Sequence, residues 1–169
     1  MGNIMHRSSP FPYSIVLVKK KDGTMRMCIE YKALNKKTIK NQYSIPMIDE
    51  LIDELHGAVY LSKIDLQSRY HQIQVKEEDI HKRTFICHYG HYEFLFMPFR
   101  LTNAPTTFQS CMNHIFNKKL RKLLIVFFDD LLIYNRTWGE NLRNVDGIIT
   151  IMEERSLFPK EEKWEFELT

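Results

Sequence analysis

Disulfide chemistry, secretion and membrane insertion are the first possibilities this sequence removes. Its 169 residues hold three cysteines, Cys28, Cys87 and Cys111, scattered in apolar surroundings without the close spacing of a redox pair or a zinc site. They read as buried, reduced thiols of an intracellular chain. No apolar run approaches the roughly 20 residues a membrane-spanning helix needs. The first ten residues lack the apolar core of a secretory signal, and Met1-Gly2 is followed by His6 where a myristoylation motif wants Ser or Thr. An intracellular location is the expectation, and an organelle-encoded chain, a mitochondrial one for example, is compatible with it because such a chain needs no targeting segment. His81, Cys87, His88 and His91 are not joined by further ligands that would complete a tetrahedral metal site, and they read as exposed hairpin residues. No internal repeat, low-complexity block or linker-like composition shift divides the chain.

What is present is a globular composition, 44% hydrophobic, enough for one or two small domains with a real core. The net charge of +3 is unevenly spread. Between Met1 and Ile45 the basic residues Arg7, Lys19, Lys20, Lys21, Arg26, Lys32, Lys36, Lys37 and Lys40 face only Asp22 and Glu30, a balance that favours a polyanionic partner. A second basic cluster, Lys118-Lys119-Leu120-Arg121-Lys122, is as readily a solvated face.

Asp129 and Asp130 interrupt the most apolar stretch of the chain, Leu123 to Tyr134. A carboxylate pair between two β-prone runs reads as the tip of a tight hairpin. Two like charges there call for compensation, and a divalent cation supplies it. An Asp pair also serves as an ordinary exposed turn. Asp65, at the end of the β-prone run Ala58 to Ile64, shifts the balance, because three carboxylates at strand ends can converge on one metal site.

The coarse order is hairpin, helix, strand, hairpin, helix, hairpin, helix. Strands are expected at 14–19 and 24–31 around an Asp22-Gly23 turn, at 58–64, and at 83–89 and 92–97 joined at Gly90-His91. A helix capped by Ser44, with Pro46 in its first turn, carries Ile48, Leu51, Ile52 and Leu55 and ends at Gly57. The segment 67–74 is ambiguous, and Glu77-Glu78-Asp79 is a loop or a helix start. A helix over 104–120 points Phe108, Cys111, Met112, Ile115 and Phe116 inward, and one over 138–155 points Leu142, Val145, Ile148, Ile149 and Met152 inward. Residues 161–167 read as a ragged charged tail. Helices packed on an antiparallel sheet make an α+β fold.

Several segments then resemble a family: Val16-Leu17-Val18-Lys19-Lys20-Lys21-Asp22-Gly23, Tyr31-Lys32-Ala33-Leu34-Asn35, Ile64-Asp65-Leu66-Gln67-Ser68-Arg69-Tyr70-His71-Gln72-Ile73, Met97-Pro98-Phe99-Arg100-Leu101-Thr102-Asn103-Ala104-Pro105 and Phe127-Phe128-Asp129-Asp130. In order and spacing they are similar to the reverse transcriptase of Ty3/gypsy-type LTR retrotransposons. The likeness covers fingers and palm, with the thumb absent. It implies a polymerase right-hand fold fragment: a ferredoxin-like palm, with an antiparallel sheet and helices on one face, plus β-hairpin fingers. The expected partition is fingers at 1–39 and 73–103 and palm at 40–72 and 104–169.

The resemblance also implies RNA-directed DNA synthesis, adding dNTPs to a primer 3′-hydroxyl by two-metal catalysis. Asp65, Asp129 and Asp130 would be the catalytic carboxylates and hold two Mg²⁺ ions, with Mn²⁺ as an alternative. Lys20 and Arg26 would grip the triphosphate, Tyr70 would lie beneath the sugar, and Phe99 and Arg100 would line the nucleotide pocket. Phe128 would touch the primer end. The implied partners are an RNA or DNA template with its primer and dNTPs, and no membrane.

Arg69 and Arg100 stand where the family pattern usually has Gly, and Glu30 and Lys32 replace its Asp and Arg. Two bulky cations then crowd a site fitted to a nucleotide. The alternative readings are a decayed, inactive fragment that at most binds nucleic acid, and a small metal-dependent hydrolase. The latter needs a water-activating base and leaves the basic hairpin unexplained.

Overall fold

A computed structural model describes residues 4–6, 13–20, 23–44, 46–66, 69–98, 100–128, 130–160 and 164–168. The strands are β1 (Ile4–His6), β2 (Ile15–Lys19), β3 (Met25–Ile29), β4 (Tyr60–Asp65), β5 (Thr84–Cys87), β6 (Gly90–Phe94), β7 (Leu124–Phe127), β8 (Asp130–Asn135) and β9 (Glu165–Leu168). The α-helices are α1 (Lys32–Lys37), α2 (Ile48–Glu54), α3 (Glu77–Ile80), α4 (Ala104–Ile115) and α5 (Trp138–Glu154). They form two compact units, residues 1–41 with 70–104 and residues 42–69 with 105–169.

The first unit holds a three-stranded sheet in the order β1-β6-β5 and the separate hairpin β2-β3. Ile29, Tyr31, Phe85 and Phe94 are its buried centre, joined by Tyr13, Ile15, Leu34, Tyr92 and Leu101. Tyr31 is fully buried, and that burial pushes its phenol far above the ordinary tyrosine range. The β5-β6 turn falls at His88 and Tyr89 rather than at Gly90-His91, because Cys87 pairs with Gly90. Gly90 opens β6 at φ +135°, which glycine alone adopts readily. Helix α1, six residues with no buried side chain and no side-chain cap, follows the β2-β3 hairpin where the sequence pattern gave no helix.

The second unit is built on a four-stranded antiparallel sheet in the order β7-β8-β4-β9. Alternation writes its central strands: Ser62 and Ile64 on β4 and Leu131 and Ile133 on β8 are buried, while Lys63, Asp65, Asp130 and Leu132 between them are half-exposed. Helix α5 buries Asn141, Val145, Ile148 and Met152, spaced i, i+4, i+7 and i+11 down one face. Its start is fixed by Thr137, whose hydroxyl accepts from the Glu140 N–H and donates to the Glu140 carboxylate. Helix α4 buries Phe108, Gln109 and Met112.

Several sequence expectations change here. Leu142 is 46% exposed, because the buried stripe of α5 runs one position earlier, through Asn141. Helix α2 is capped by Met47 rather than Ser44, and Ile48 and Ile52 are exposed. Helix α4 ends at Ile115, with turns following to Lys119, rather than reaching Leu120. The charged tail adds an edge strand, β9, beside β4. Of the three free cysteines only Cys28 is buried, and Cys87 and Cys111 are half-buried. Among the described residues no helix is long and apolar enough to cross a membrane.

Candidate active site

Strands β4 and β8 run antiparallel in a register that makes Asp65 and Asp130 direct cross-strand partners. Since side chains alternate across a strand, both carboxylates leave the sheet on the face away from the buried Ile64 and Leu131. The pairing of Phe127 with Asp130 closes the β7-β8 hairpin. Asp130 therefore opens strand β8 instead of lying at the hairpin tip, where the sequence pattern put it. Asp129 itself lies outside the described residues, as do Phe99 and the side chain of Arg69. Among the described residues no group of three or more His, Cys, Asp or Glu could hold a metal ion. Asp65 and Asp130 are thus the part of the predicted set that the structure brings together.

Lys63 belongs to the same surface. Two residues before Asp65 on β4, it faces Leu132 and places its ammonium 3.6 Å from Asp130 Oδ1. Beside them Ile48, Leu51 and Ile52 of α2 and Leu55 just after it line a shallow groove with Ile125, Phe127 and Leu132. This puts α2 on the carboxylate face, opposite the α5 side of the sheet.

Phe128 sits at φ +53°, a left-handed conformation unusual for an aromatic residue. Its N–H donates to Gln109 Oε1 at 3.0 Å. The Phe128 ring meets that of Phe127 edge-on, with centroids 4.7 Å apart.

In the first unit, Lys20 and Arg26 are exposed on the β2-β3 hairpin. The Lys20 N–H donates to Thr24 C=O at 2.8 Å and Gly23 N–H donates to Lys20 C=O at 3.1 Å, which closes the loop. Gly23 adopts φ +83°, as the turn expectation requires, while Asp22 is outside the described residues. Tyr70 lies in a 3₁₀ turn (Arg69–Gln72) and is only 5% exposed. Arg100 is exposed at φ +75°. Its loop is clamped by two asparagines. Asn35 donates to Arg100 C=O at 2.8 Å and accepts from Thr102 N–H at 2.9 Å. Asn103 donates to Ile39 C=O at 2.8 Å and accepts from Asn41 N–H at 3.0 Å.

Sequence reasoning singled out neither Lys63 nor Gln109. The signal for Gln109 was a polar side chain on the inward stripe of α4, between Phe108 and Met112. Of the second basic cluster, Arg121 pairs with Glu54 at 3.2 Å, while Lys122 joins Arg136 and Arg143 around a concavity of about 520 Å³ near the Tyr60 end of the sheet.

Residues 18–168 match the family model described as reverse transcriptase (RNA-dependent DNA polymerase). This chain belongs to that family. It is 39% identical over 170 residues to the retrovirus-related Pol polyprotein from transposon 297 of Drosophila melanogaster, covering 98% of this chain and 16% of that one. It is 34% identical over 152 residues to the transposon Tf2-3 polyprotein of Schizosaccharomyces pombe, covering 90% and 11%. An RNA-directed DNA polymerase homolog of Oenothera berteroana is 38% identical over 135 residues, 80% of this chain and 95% of that one. The reverse transcriptase chain thus spans about a sixth or less of the transposon polyproteins it matches. Its fold matches the foamy viral protease-reverse transcriptase solved in complex with RNA/DNA hybrid, at a TM-score of 0.87 and 20% identity over 96% of this chain and 22% of that one.

Proposed function

We propose that this chain carries the nucleotidyl-transfer centre of an RNA-directed DNA polymerase, with Asp65, Asp129 and Asp130 as its carboxylates. The observation that supports this most directly is the cross-strand pairing of Asp65 with Asp130 on the half-exposed face of the sheet, next to the hairpin that carries Asp129. Carboxylate oxygens are the hard donors that Mg²⁺ prefers, and Mn²⁺ accepts the same set. When bound, two such ions would activate the primer 3′-hydroxyl and neutralise the triphosphate. On this reading the second unit is the palm and the first unit the fingers. Lys20 and Arg26, exposed on a glycine-turned hairpin, suit phosphate capture. Tyr70, Phe99 and Arg100 would shape the nucleotide pocket and Phe128 the primer contact. The partners are a primed RNA or DNA template and dNTPs.

One observation favours a second reading, a nucleic-acid-binding remnant that has lost the chemistry. Arg100 is exposed in a left-handed conformation at a position where the resembling sequences usually have glycine, and on the polymerase reading a long cation would there crowd the nucleotide pocket. A primed RNA template, Mg²⁺ and dNTPs, assayed beside Asp65→Asn and Asp130→Asn, separate the two. Extension that disappears in both variants supports the polymerase. Template binding without extension, persisting after Arg100→Gly, leaves only the remnant. Template-independent nucleotide hydrolysis would point to the hydrolase.

A further inference from the structure

Among the described residues β7 is an edge strand, so beyond the Leu120–Leu124 bridge the backbone groups on its outer side have no neighbouring strand to bond. Two of these groups meet one side chain. Gln109, fully buried on α4, donates from Nε2 to the Val126 C=O at 2.8 Å and accepts at Oε1 from the Phe128 N–H at 3.0 Å. A carbonyl at one residue and an N–H two residues later are what a parallel neighbouring strand would bond from a single residue. The Gln109 carboxamide therefore stands in for one residue of a missing strand, flanking Phe127. Asn113, one helical turn along α4, accepts from Gln109 Nε2 at 3.0 Å and donates to the Tyr43 hydroxyl at 2.8 Å. This orients the carboxamide so that its donor and acceptor are not interchanged.

The bonded segment ends at the carboxylates. Phe128, the residue bonded to Gln109 Oε1, directly precedes Asp129, and its φ of +53° is a conformation an aromatic residue holds only when its surroundings enforce it. We propose that Gln109 is a positioning residue, which locks the left-handed Phe128 and so sets the direction in which strand β8 presents the Asp130 carboxylate. The inference rests on the metal-binding reading for its purpose, but its geometry can be tested without it.

The test is amide hydrogen exchange by ¹⁵N NMR on the full chain, with Mn²⁺-induced broadening as a second readout. In Gln109→Met, a substitution of similar volume, the Phe128 amide is expected to exchange at least about tenfold faster, since its acceptor is lost. Met112→Leu, also buried on α4, serves as the control and should leave Phe128 protection unchanged even where it lowers the melting temperature. Broadening of the Asp65 and Asp130 amides by Mn²⁺ should weaken severalfold in Gln109→Met and persist in Met112→Leu. Unchanged Phe128 exchange in Gln109→Met overturns the proposal. If that variant does not fold, the wild-type chain still decides, because a Phe128 amide exchanging at free-loop rates is incompatible with the lock. Absent Mn²⁺ broadening in the wild type would instead remove the metal reading, with Phe128 exchange still judging Gln109.

Discussion

The Lys63 ammonium stands 3.6 Å from Asp130 Oδ1, on the strand face that also carries Asp65. A protein cation thus already offsets part of the charge that a pair of facing carboxylates accumulates. Any divalent ion binding there competes with it. Both side chains are about 40% exposed, so solvent screens the pair and its contribution stays within about 1 kcal/mol. Lys63→Met is therefore expected to tighten Mn²⁺ binding by no more than roughly fivefold, measured by paramagnetic relaxation of water protons. Weaker binding in the variant would show that Lys63 orients Asp130 for the ion instead of competing with it.

Arg100 supplies a second expectation, on stability. A non-glycine residue at φ +75° carries strain of about 1 to 2 kcal/mol, and glycine relieves it while giving back about 1 kcal/mol through the freer unfolded chain. The net gain for Arg100→Gly is about 1 kcal/mol at most, near 3 °C in melting temperature for a chain of this size. The loop should keep its path, because Asn35 holds the Arg100 carbonyl and the Thr102 N–H, neither of which changes. A lower melting temperature would mean that the guanidinium stabilises the loop more than its backbone strains it.

Much of this architecture is written locally. The β2-β3 hairpin, β4, the apolar hairpin of β7 and β8, and α5 each follow from alternation, turn glycines or helical spacing within their own residues. What escaped has nonlocal causes. Strands β1 and β9 are short edges whose partners, Phe94 to Tyr92 and Lys63 to Tyr60, lie about 90 and 100 residues away in sequence. Lys63 reads as an ordinary exposed cation until the β4-β8 register brings it beside Asp130. In α5 the periodicity rule took Leu142 as inward because it is apolar. The inward position belongs to Asn141, whose amide answers polar groups on the sheet that no helix pattern reveals. The carboxylates were legible as residues, while the polar side chains that hold their strands in place were not.

Cys111 provides the pH dependence. Burial pushes its thiol above the ordinary cysteine range. A raised folded-state pKa means that the neutral thiol is bound more tightly in the folded chain than in the unfolded one. Its contribution is complete below the unfolded value of about 8.5 and declines as pH rises past it. Alkylation of Cys111 by iodoacetamide at pH 8 should be slower than that of a model peptide thiol, and Cys111→Ala should flatten the loss of stability that sets in just above about pH 8.5. Tyr134, whose phenol burial also raises, titrates too high to produce that slope. An unchanged slope in Cys111→Ala would assign the alkaline loss elsewhere.

The Asn141 network gives the sharpest energetic test. Asn141 is fully buried on α5, its Oδ1 accepting from the Ser62 hydroxyl and its Nδ2 donating to Tyr60 C=O at 3.4 Å and Ile133 C=O at 3.5 Å. One side chain thereby ties the helix to both strands that carry Asp65 and Asp130. Asn141→Ala removes it and strands the Ser62 hydroxyl, itself 1% exposed, with a loss of about 2 to 4 kcal/mol from the orphaned group and the cavity together. Ser62→Ala alone should lose less, about 1 to 2 kcal/mol, because Asn141 Oδ1 loses this donor while Nδ2 keeps its bonds to both strands and little volume is removed. Combining Ser62→Ala with Asn141→Ala removes both ends of the hydrogen bond at once, so the double variant should be more stable than the sum of its single losses by at least about 1 kcal/mol. Urea denaturation of the four proteins measures that coupling. Strict additivity would show that the hydroxyl and the amide do not stabilise one another, and that Asn141 ties α5 to the carboxylate-bearing strands through its Nδ2 bonds to Tyr60 and Ile133 instead.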